Sequence, residues 1–212
     1  MVMKVYEPLV ASRKRKLFGD LQGLVLEIGP GTGPNFKYFP KNIHWSGLEN
    51  NPHMHPYLAK ELAKHGISGE PILGSAMSIP LPDNSVDFVV STLVLCSVPD
   101  PQLTLSEVNR VLKPGGQYRF IEHVAGPEGS VIGRVQRFIK PIWFCCAAGC
   151  TLNRKSWVTV YESELKVLWL EHFSIKFPFV SPHIWGASLK ESNIEPRSME
   201  HQNSDEITGF TK

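Results

Sequence analysis

Two rhythms of apolar and polar positions alternate along this chain. Short, nearly unbroken apolar runs recur at residues 24–28, 43–48, 70–73, 87–95 and 118–124. Runs of this length bounded by Gly and Pro predict buried strands rather than strands with one wet face. Between them the apolar positions fall at helical spacing. Gln102 to Leu112 carries Leu103, Leu105, Val108, Val111 and Leu112, and Lys113-Pro-Gly-Gly ends that helix. Pro52 suits the first turn of a helix that runs to about His65, and Gly66 suits its stop. A short helix is expected over 35–38. β and α thus alternate about five times, which implies a parallel sheet covered on both faces with right-handed crossovers.

Outside this central block the pattern changes. Val5, Leu9, Leu17, Phe18 and Leu21 frame the basic run Ser12-Arg-Lys-Arg-Lys16, so residues 1–22 read as an amphipathic helix with a basic face. The stretch 129–150 is apolar and aromatic without a clear period of two. Residues 153–165 could be a helix, and 167–173 and 183–189 add two strands. Residues 191–212 are polar without period and read as a mobile tail. The expected organisation is an N-terminal helix over 1–22, a domain over 23–190 with a substrate lid at about 125–160, and the tail. The fold class is α/β: one doubly wound, seven-stranded, mostly parallel sheet with helices on both faces.

Bulk properties narrow the function. The 212 residues, 42% hydrophobic and 20% charged, suit one globular domain. A net charge of +2 is too small to argue for a nucleic-acid partner. No apolar run approaches the roughly 18 residues of a membrane span. The four cysteines, at 96, 145, 146 and 150, show no CxxC spacing and no secretory signal precedes them. Reduced thiols in a reducing compartment are expected. Cys145, Cys146 and Cys150 match no zinc pattern and no nearby histidine completes one, so no metal is expected.

The chemistry concentrates at Leu24-Val-Leu-Glu-Ile-Gly-Pro-Gly-Thr-Gly-Pro34. An apolar strand ends in Glu27 and then in a turn with Gly29, Gly31 and Gly33. Glu49 follows Gly29 by 20 residues, at the end of the second strand. That spacing sets a carboxylate beside the turn, where a ribose would sit. The dinucleotide fingerprint wants glycine at its sixth position, which here is Pro34. Proline removes a backbone donor that a pyrophosphate needs. The turn therefore suits close approach of a ligand rather than a grip on phosphate, and an NAD-linked oxidoreductase is disfavoured.

This pattern resembles class I S-adenosylmethionine-dependent methyltransferases, whose signature after the first strand is E/D-x-G-x-G-x-G. The resemblance extends through Glu49, through Ser85-Val-Asp-Phe-Val-Val90 and through Glu107-Val-Asn-Arg-Val-Leu-Lys-Pro-Gly-Gly116. A narrower likeness, over roughly residues 5–190, is to the methyltransferase-like group of thiol S-methyltransferases. It is carried by Ala11-Ser-Arg-Lys-Arg-Lys-Leu-Phe18, Ser91 to Val98, Glu122-His-Val124, Arg154-Lys-Ser-Trp157 and Pro182-His-Ile184. Members of that group are small enzymes of the endoplasmic reticulum membrane and lipid droplets with an apolar N-terminal anchor. The likeness implies that this chain begins about where that anchor would end.

S-adenosyl-L-methionine is the cofactor implied. Glu27 would then face the methionine amino group, directly or through water, and otherwise caps local N–H groups. Gly29, Gly31 and Gly33 would admit the ligand, and Glu49 would hold both ribose hydroxyls, with Asn50 beside it. Ser75 stands where many class I enzymes place an acid against the adenine amino group. Ala76 and Met77 would wall the adenine, although Met77 suits the core equally. Thr92 and Leu93 would line the methionine end. Cys96 reads as a small buried residue rather than a nucleophile. His123 could take a proton from the acceptor or simply bond to backbone, and His183 is equally ambiguous.

Transfer of a methyl group from a sulfonium needs mainly alignment. A thiol of pKa about 8.5 is already a few per cent ionised at neutral pH. The expected activity is methyl transfer to a small lipophilic acceptor, with a thiol implied by the resemblance alone. O-, N- or C-methylation of a lipid, quinone or other small molecule is the alternative. A non-catalytic nucleotide- or partner-binding domain is the alternative of another class. A monomeric cytoplasmic protein is expected. Trp143, Phe144 and Trp157 fit either a lid or the core. The basic run, a solvated face by default, leaves open a peripheral contact with the endoplasmic reticulum or lipid-droplet surface.

Overall fold

The computed structural model describes residues 2–147, 149–177 and 180–192. Most of the tail expected over 191–212 lies outside them. The seven expected strands form one sheet in the order β3-β2-β1-β4-β5-β7-β6. They are β1 (Leu24–Ile28), β2 (His44–Glu49), β3 (Ser68–Leu73), β4 (Val86–Thr92), β5 (Leu112–His123), β6 (Lys166–Ser174) and β7 (Pro182–Leu189). Only β7 runs against its neighbours, pairing antiparallel with both β5 and β6. The helices are α1 (Val2–Phe18), α2 (His55–His65), α3 (Pro101–Val111), α4 (Val131–Cys146) and α5 (Ser156–Tyr161). Single 3-10 turns at Phe36–Tyr38 and Pro52–Met54 follow β1 and β2.

The parallel strands bury side chains on both faces. Leu26, Val89, Leu105, Val108 and Phe120 make one core, and Phe18, Val25, Trp45, Leu58 and Val90 the other. Helix starts and stops follow local chemistry. Asp100 caps α3, accepting from the Leu103 N–H at 3.0 Å, and Pro101 fills the first turn. Gly66 closes α2 in the left-handed conformation. From α3, Arg110 reaches the carbonyls of Ile79 and Leu81, while Glu107 accepts from the Ile79 N–H. That clamp fixes the loop after β3, and with it residues 75–77.

Three expectations change in detail. The unassigned stretch 129–150 is mostly the helix α4, opened by Ser130, whose hydroxyl accepts from the Gly133 N–H at 3.1 Å. Its period was hidden because large apolar residues also stand on its exposed side, including Phe138 and Ile142. The helix proposed over 153–165 is only one and a half turns. It stops where the Ser163 hydroxyl donates to the Val160 carbonyl. The basic face of the N-terminal helix is divided. Lys14 is wholly buried against Glu7 at 2.8 Å, and Arg13 lies 3.8 Å over the Phe173 ring. Arg15 and Lys16 face solvent. Lys14 is tolerated inside because its charge is paired.

Candidate active site

The strand order reverses between β1 and β4, and the carboxyl ends of the strands there open a crevice, as open α/β sheets do at such a switch point. A cavity of about 290 Å³ occupies it. Gly29, Glu49, Asn50, Ser75, Ala76, Met77 and Leu93, all candidates from sequence, lie on its wall. Glu27, Gly31, Gly33, Thr92 and His123 do not.

The three turn glycines have different causes. All have positive φ. At Gly29 a side chain would come within 2.8 Å of Val94. At Gly33 it would strike the Phe36 ring, so this glycine serves packing. At Gly31 nothing stands within 4 Å, which leaves open space beside the crevice. The Gly31 N–H donates to Glu49 at 3.1 Å and the Asn51 N–H at 3.0 Å, one to each carboxylate oxygen. Each oxygen keeps a further lone pair for a ligand.

Glu27 is buried behind the crevice. It accepts from Asn35 Nδ2 at 2.6 Å and Trp45 Nε1 at 2.9 Å, and burial pushes its pKa up to about 7. Asn35 also donates to the Thr92 hydroxyl at 3.2 Å, while its buried Oδ1 has no partner. In its ionised form Glu27 only accepts, which sets the amide orientation of Asn35. Thr92 thus joins a Glu27–Asn35 chain rather than the cavity wall. Nothing in the pattern of residues singles out Asn35, which lies just past the glycine signature.

Leu93 holds the left-handed conformation, φ +60, rare for a branched side chain. It turns the chain from the first cavity into a second one, of about 260 Å³, and lines both, as does Ser97. Backbone strain of this kind gathers at functional sites. The second cavity is mainly apolar, with Trp143, Phe177 and Val180 on its wall beside Tyr6, Cys96, Cys150, His123 and His183. Its parts come from α1, the loop after β4, the ends of β5 and β7, and α4.

The methyltransferase domain family matches residues 26–120. The human thiol S-methyltransferase TMT1A is 35% identical over 199 residues, covering 88% of this chain and 82% of that protein. Human thiol S-methyltransferase TMT1B is 38% identical over 193 residues, 84% of this chain and 79% of that protein. The chain belongs to the thiol S-methyltransferase family. It is an S-adenosylmethionine-dependent methyltransferase. A solved Bacillus halodurans protein described as a putative methyltransferase shares the fold, with TM-score 0.70 and 16% identity, over 85% of this chain and 98% of that one.

In this methyltransferase the cysteines are placed otherwise than their spacing suggested. Cys145 and Cys146 are exposed on α4. Cys150 does meet a histidine: its sulfur is 3.7 Å from His123 Nε2 and 3.9 Å from Nδ1, and Cys96 completes a cluster within 4.8 Å. The expectation that no histidine stands near is corrected by β5, which delivers residue 123 from a distance in sequence. The sulfur is nearly equidistant from both ring nitrogens, so it lies on the lone-pair axis of neither. Hydrogen bonding to Cys150, with burial, pushes the Cys96 thiol up. The same contact, helped by His123, lowers Cys150 to about 4.

Proposed function

We propose that this enzyme methylates small lipophilic thiols, with the methyl donor in the first cavity and the acceptor in the second. The observation that carries the reading is the meeting of a polar crevice and an apolar chamber at Leu93 and Ser97. The names of its thiol-methylating relatives support the choice of sulfur.

The residues of the crevice suit the donor. Gly31 leaves room where a side chain would stand. Asn35 Oδ1 is a buried acceptor without a partner, beside the carboxylate of Glu27, and the pair suits an ammonium group. Glu49 would take the ribose hydroxyls, with Asn50 beside it. Ser75, Ala76 and Met77 would bound the adenine. Gly29 lets the chain pass close by, and Gly33 and Thr92 act by shaping the turn and holding Asn35. When bound, S-adenosylmethionine supplies a methyl group on a cationic sulfur that leaves as a neutral thioether. The protein's own part is to hold the acceptor in line across Leu93 and exclude water. His123 borders the acceptor through Cys150.

Incubating the purified chain with labelled donor and a panel of alkyl and aryl thiols, phenols, amines and quinols tests this. Thiols should turn over at least about tenfold faster than the others. Transfer only to oxygen, nitrogen or carbon would replace the reading.

α4 also supports a peripheral membrane contact. Val131, Phe138 and Ile142 are 68%, 86% and 71% exposed, with Arg134, Arg137 and Lys140 among them. A helix with that mixture lies in a lipid interface. Among the described residues no helix is long and apolar enough to cross a membrane. We place the enzyme as a monomer on the cytoplasmic face of the endoplasmic reticulum or of lipid droplets. Co-sedimentation with anionic vesicles should fall several-fold in Phe138→Glu. Equal binding by the variant would exclude α4 as the contact.

A further inference from the structure

Among the described residues, two of the buried side-chain polar atoms without a partner, Tyr6 hydroxyl and His183 Nε2, belong to one cavity, and a third polar atom there, Trp143 Nε1, has only the Cys150 sulfur within reach. Orphaned polar groups are costly and rare, so their gathering in a mainly apolar chamber needs a cause. Two of the three can donate and one can only accept. His183 Nδ1 lies 3.1 Å from the Ser181 carbonyl. A carbonyl only accepts, so Nδ1 carries the proton and Nε2 of the neutral ring is a bare lone pair. The ring is held from three sides. Tyr6 of α1 stacks on it at 5.6 Å, Phe173 of β6 lies at 5.3 Å, and His123 is its cross-strand partner at 6.3 Å. His123 is not among these unpartnered groups and has the Cys150 sulfur beside its ring, 3.7 Å from Nε2 and 3.9 Å from Nδ1.

We propose that His183 is the proton acceptor for the incoming thiol, and that Tyr6 and Trp143 donate hydrogen bonds to its sulfur. This rests on the second cavity being the acceptor site. As the bond between the acceptor sulfur and the methyl carbon forms, the bond from that carbon to the donor sulfonium breaks, and its electron pair leaves with the donor sulfur. The acceptor's S–H proton passes to Nε2 of His183, giving an imidazolium that later releases it to water. The chamber takes a thiol with one apolar substituent: Phe177 and Val180 meet the substituent, and the three polar atoms meet the sulfur.

The other titratable or charged groups around His183 are Tyr6, Arg13 and His123, with Cys96 and Cys150 across the cavity. Burial lowers the His183 pKa to about 4, outweighing the Ser181 carbonyl that raises it, with the Arg13 charge adding to the lowering. The ring is therefore neutral and ready to accept at any pH above about 5. A base this weak takes the proton as the S–C bond forms, when the S–H is most acidic.

A pH profile of kcat/KM with an alkyl thiol and a more acidic aryl thiol tests the assignment. The wild-type rate with the alkyl thiol should be nearly flat between about pH 6 and 8. His183→Gln keeps an acceptor atom but cannot carry the proton. It should lose about 100-fold with the alkyl thiol at pH 7, at the low end for general-base catalysis. Its residual rate should climb about tenfold per pH unit toward the thiol's own pKa, about 8.5. With the aryl thiol, already largely ionised, the loss should be under about fivefold by the same logic. His123→Gln should lower the rate without changing the shape of the profile. Melting and donor titration of each variant check folding. Equal losses with both thiols, or a flat profile in His183→Gln, would overturn the assignment. So would a wild-type rate that climbs with thiolate. If the wild type methylates no thiol at all, it is the reading of the acceptor that has failed.

Discussion

The two cavities of this methyltransferase share Leu93, yet they are made in opposite ways. The first is assembled from strand ends and the turns that follow β1, β2, β3 and β4, with Asn50, Ser75, Ser97 and one carboxylate, Glu49, as polar side chains on its wall, and that carboxylate is held by the Gly31 and Asn51 N–H groups. The second is assembled from side chains brought by α1, α4, β5, β7 and the loops between them. A site made of strand ends and turns depends on a few special conformations close together in sequence. A site made of side chains can be rebuilt without disturbing the sheet.

If the division is right, the largest single effect belongs to Glu49. Glu49→Ala removes a carboxylate placed to accept from the donor's two hydroxyls and already organised by Gly31 and Asn51. Hydrogen bonds to a charged group contribute about 1.5–3 kcal/mol each, so donor binding should weaken at least about 100-fold by calorimetry. Donor affinity within about threefold of wild type would move the ribose elsewhere. Trp143→Ala should do the converse. It should raise the KM for a lipophilic thiol about tenfold, the equivalent of losing part of one buried aromatic contact, and leave donor affinity alone. Loss of donor binding in that variant would show that the chambers are not separable.

That separation explains what could be read from the chain. Apolar runs reported the strands because a doubly covered sheet buries every position. Gly29 and Glu49 stood out because positive φ and a fixed 20-residue spacing leave marks on the sequence. Asn35 left none, since an asparagine after a turn has many ordinary causes, and only the fold brings it between Glu27 and Thr92. The second cavity was least legible. Tyr6, Cys96, His123, Trp143, Cys150 and His183 lie far apart in the chain and meet only through β5–β7 pairing and the packing of α1 and α4. Even the basic run of α1 misled in part, because Lys14 points inward to Glu7.

The glycines sharpen the first half of the comparison. Gly33→Ala meets the Phe36 ring at positive φ and should destabilise the fold by about 2–3 kcal/mol, with donor binding scaling only with folded protein. Gly31→Ala meets nothing in the chain. It should cost about 1 kcal/mol of stability through φ alone, and weaken donor binding more than Gly33→Ala does in the folded fraction. Equal behaviour of the two would mean that the open space at Gly31 is not where the donor passes.

The smallest effect compares the buried carboxylates behind the two cavities, Glu27 at the end of β1 and Glu122 at the end of β5. Burial raises both from the usual 4.5 to about 7. A raised folded pKa means that the native chain holds protons which the unfolded chain has released. Stability from this source is complete below about pH 4.5 and is lost as pH rises through 7. The melting temperature without donor should therefore fall between pH 5 and 8, by the equivalent of about 1–2 kcal/mol once relaxation around the groups is allowed for. The two residues should part on substitution. Both Glu27 oxygens accept from donors, Asn35 and Trp45, so Glu27→Gln turns an amide N–H toward another donor and should destabilise at every pH. Glu122 accepts from Ser91 and the Val94 N–H at one oxygen, with the Leu95 N–H also turned to the carboxylate, and its other oxygen has no partner at hydrogen-bond distance. Glu122→Gln keeps those contacts and cannot ionise, so it should flatten the pH dependence and melt higher than wild type at pH 8. A Glu122→Gln protein that keeps the full decline would assign the titration to Glu27 alone, and with it the electrostatic strain to the donor side.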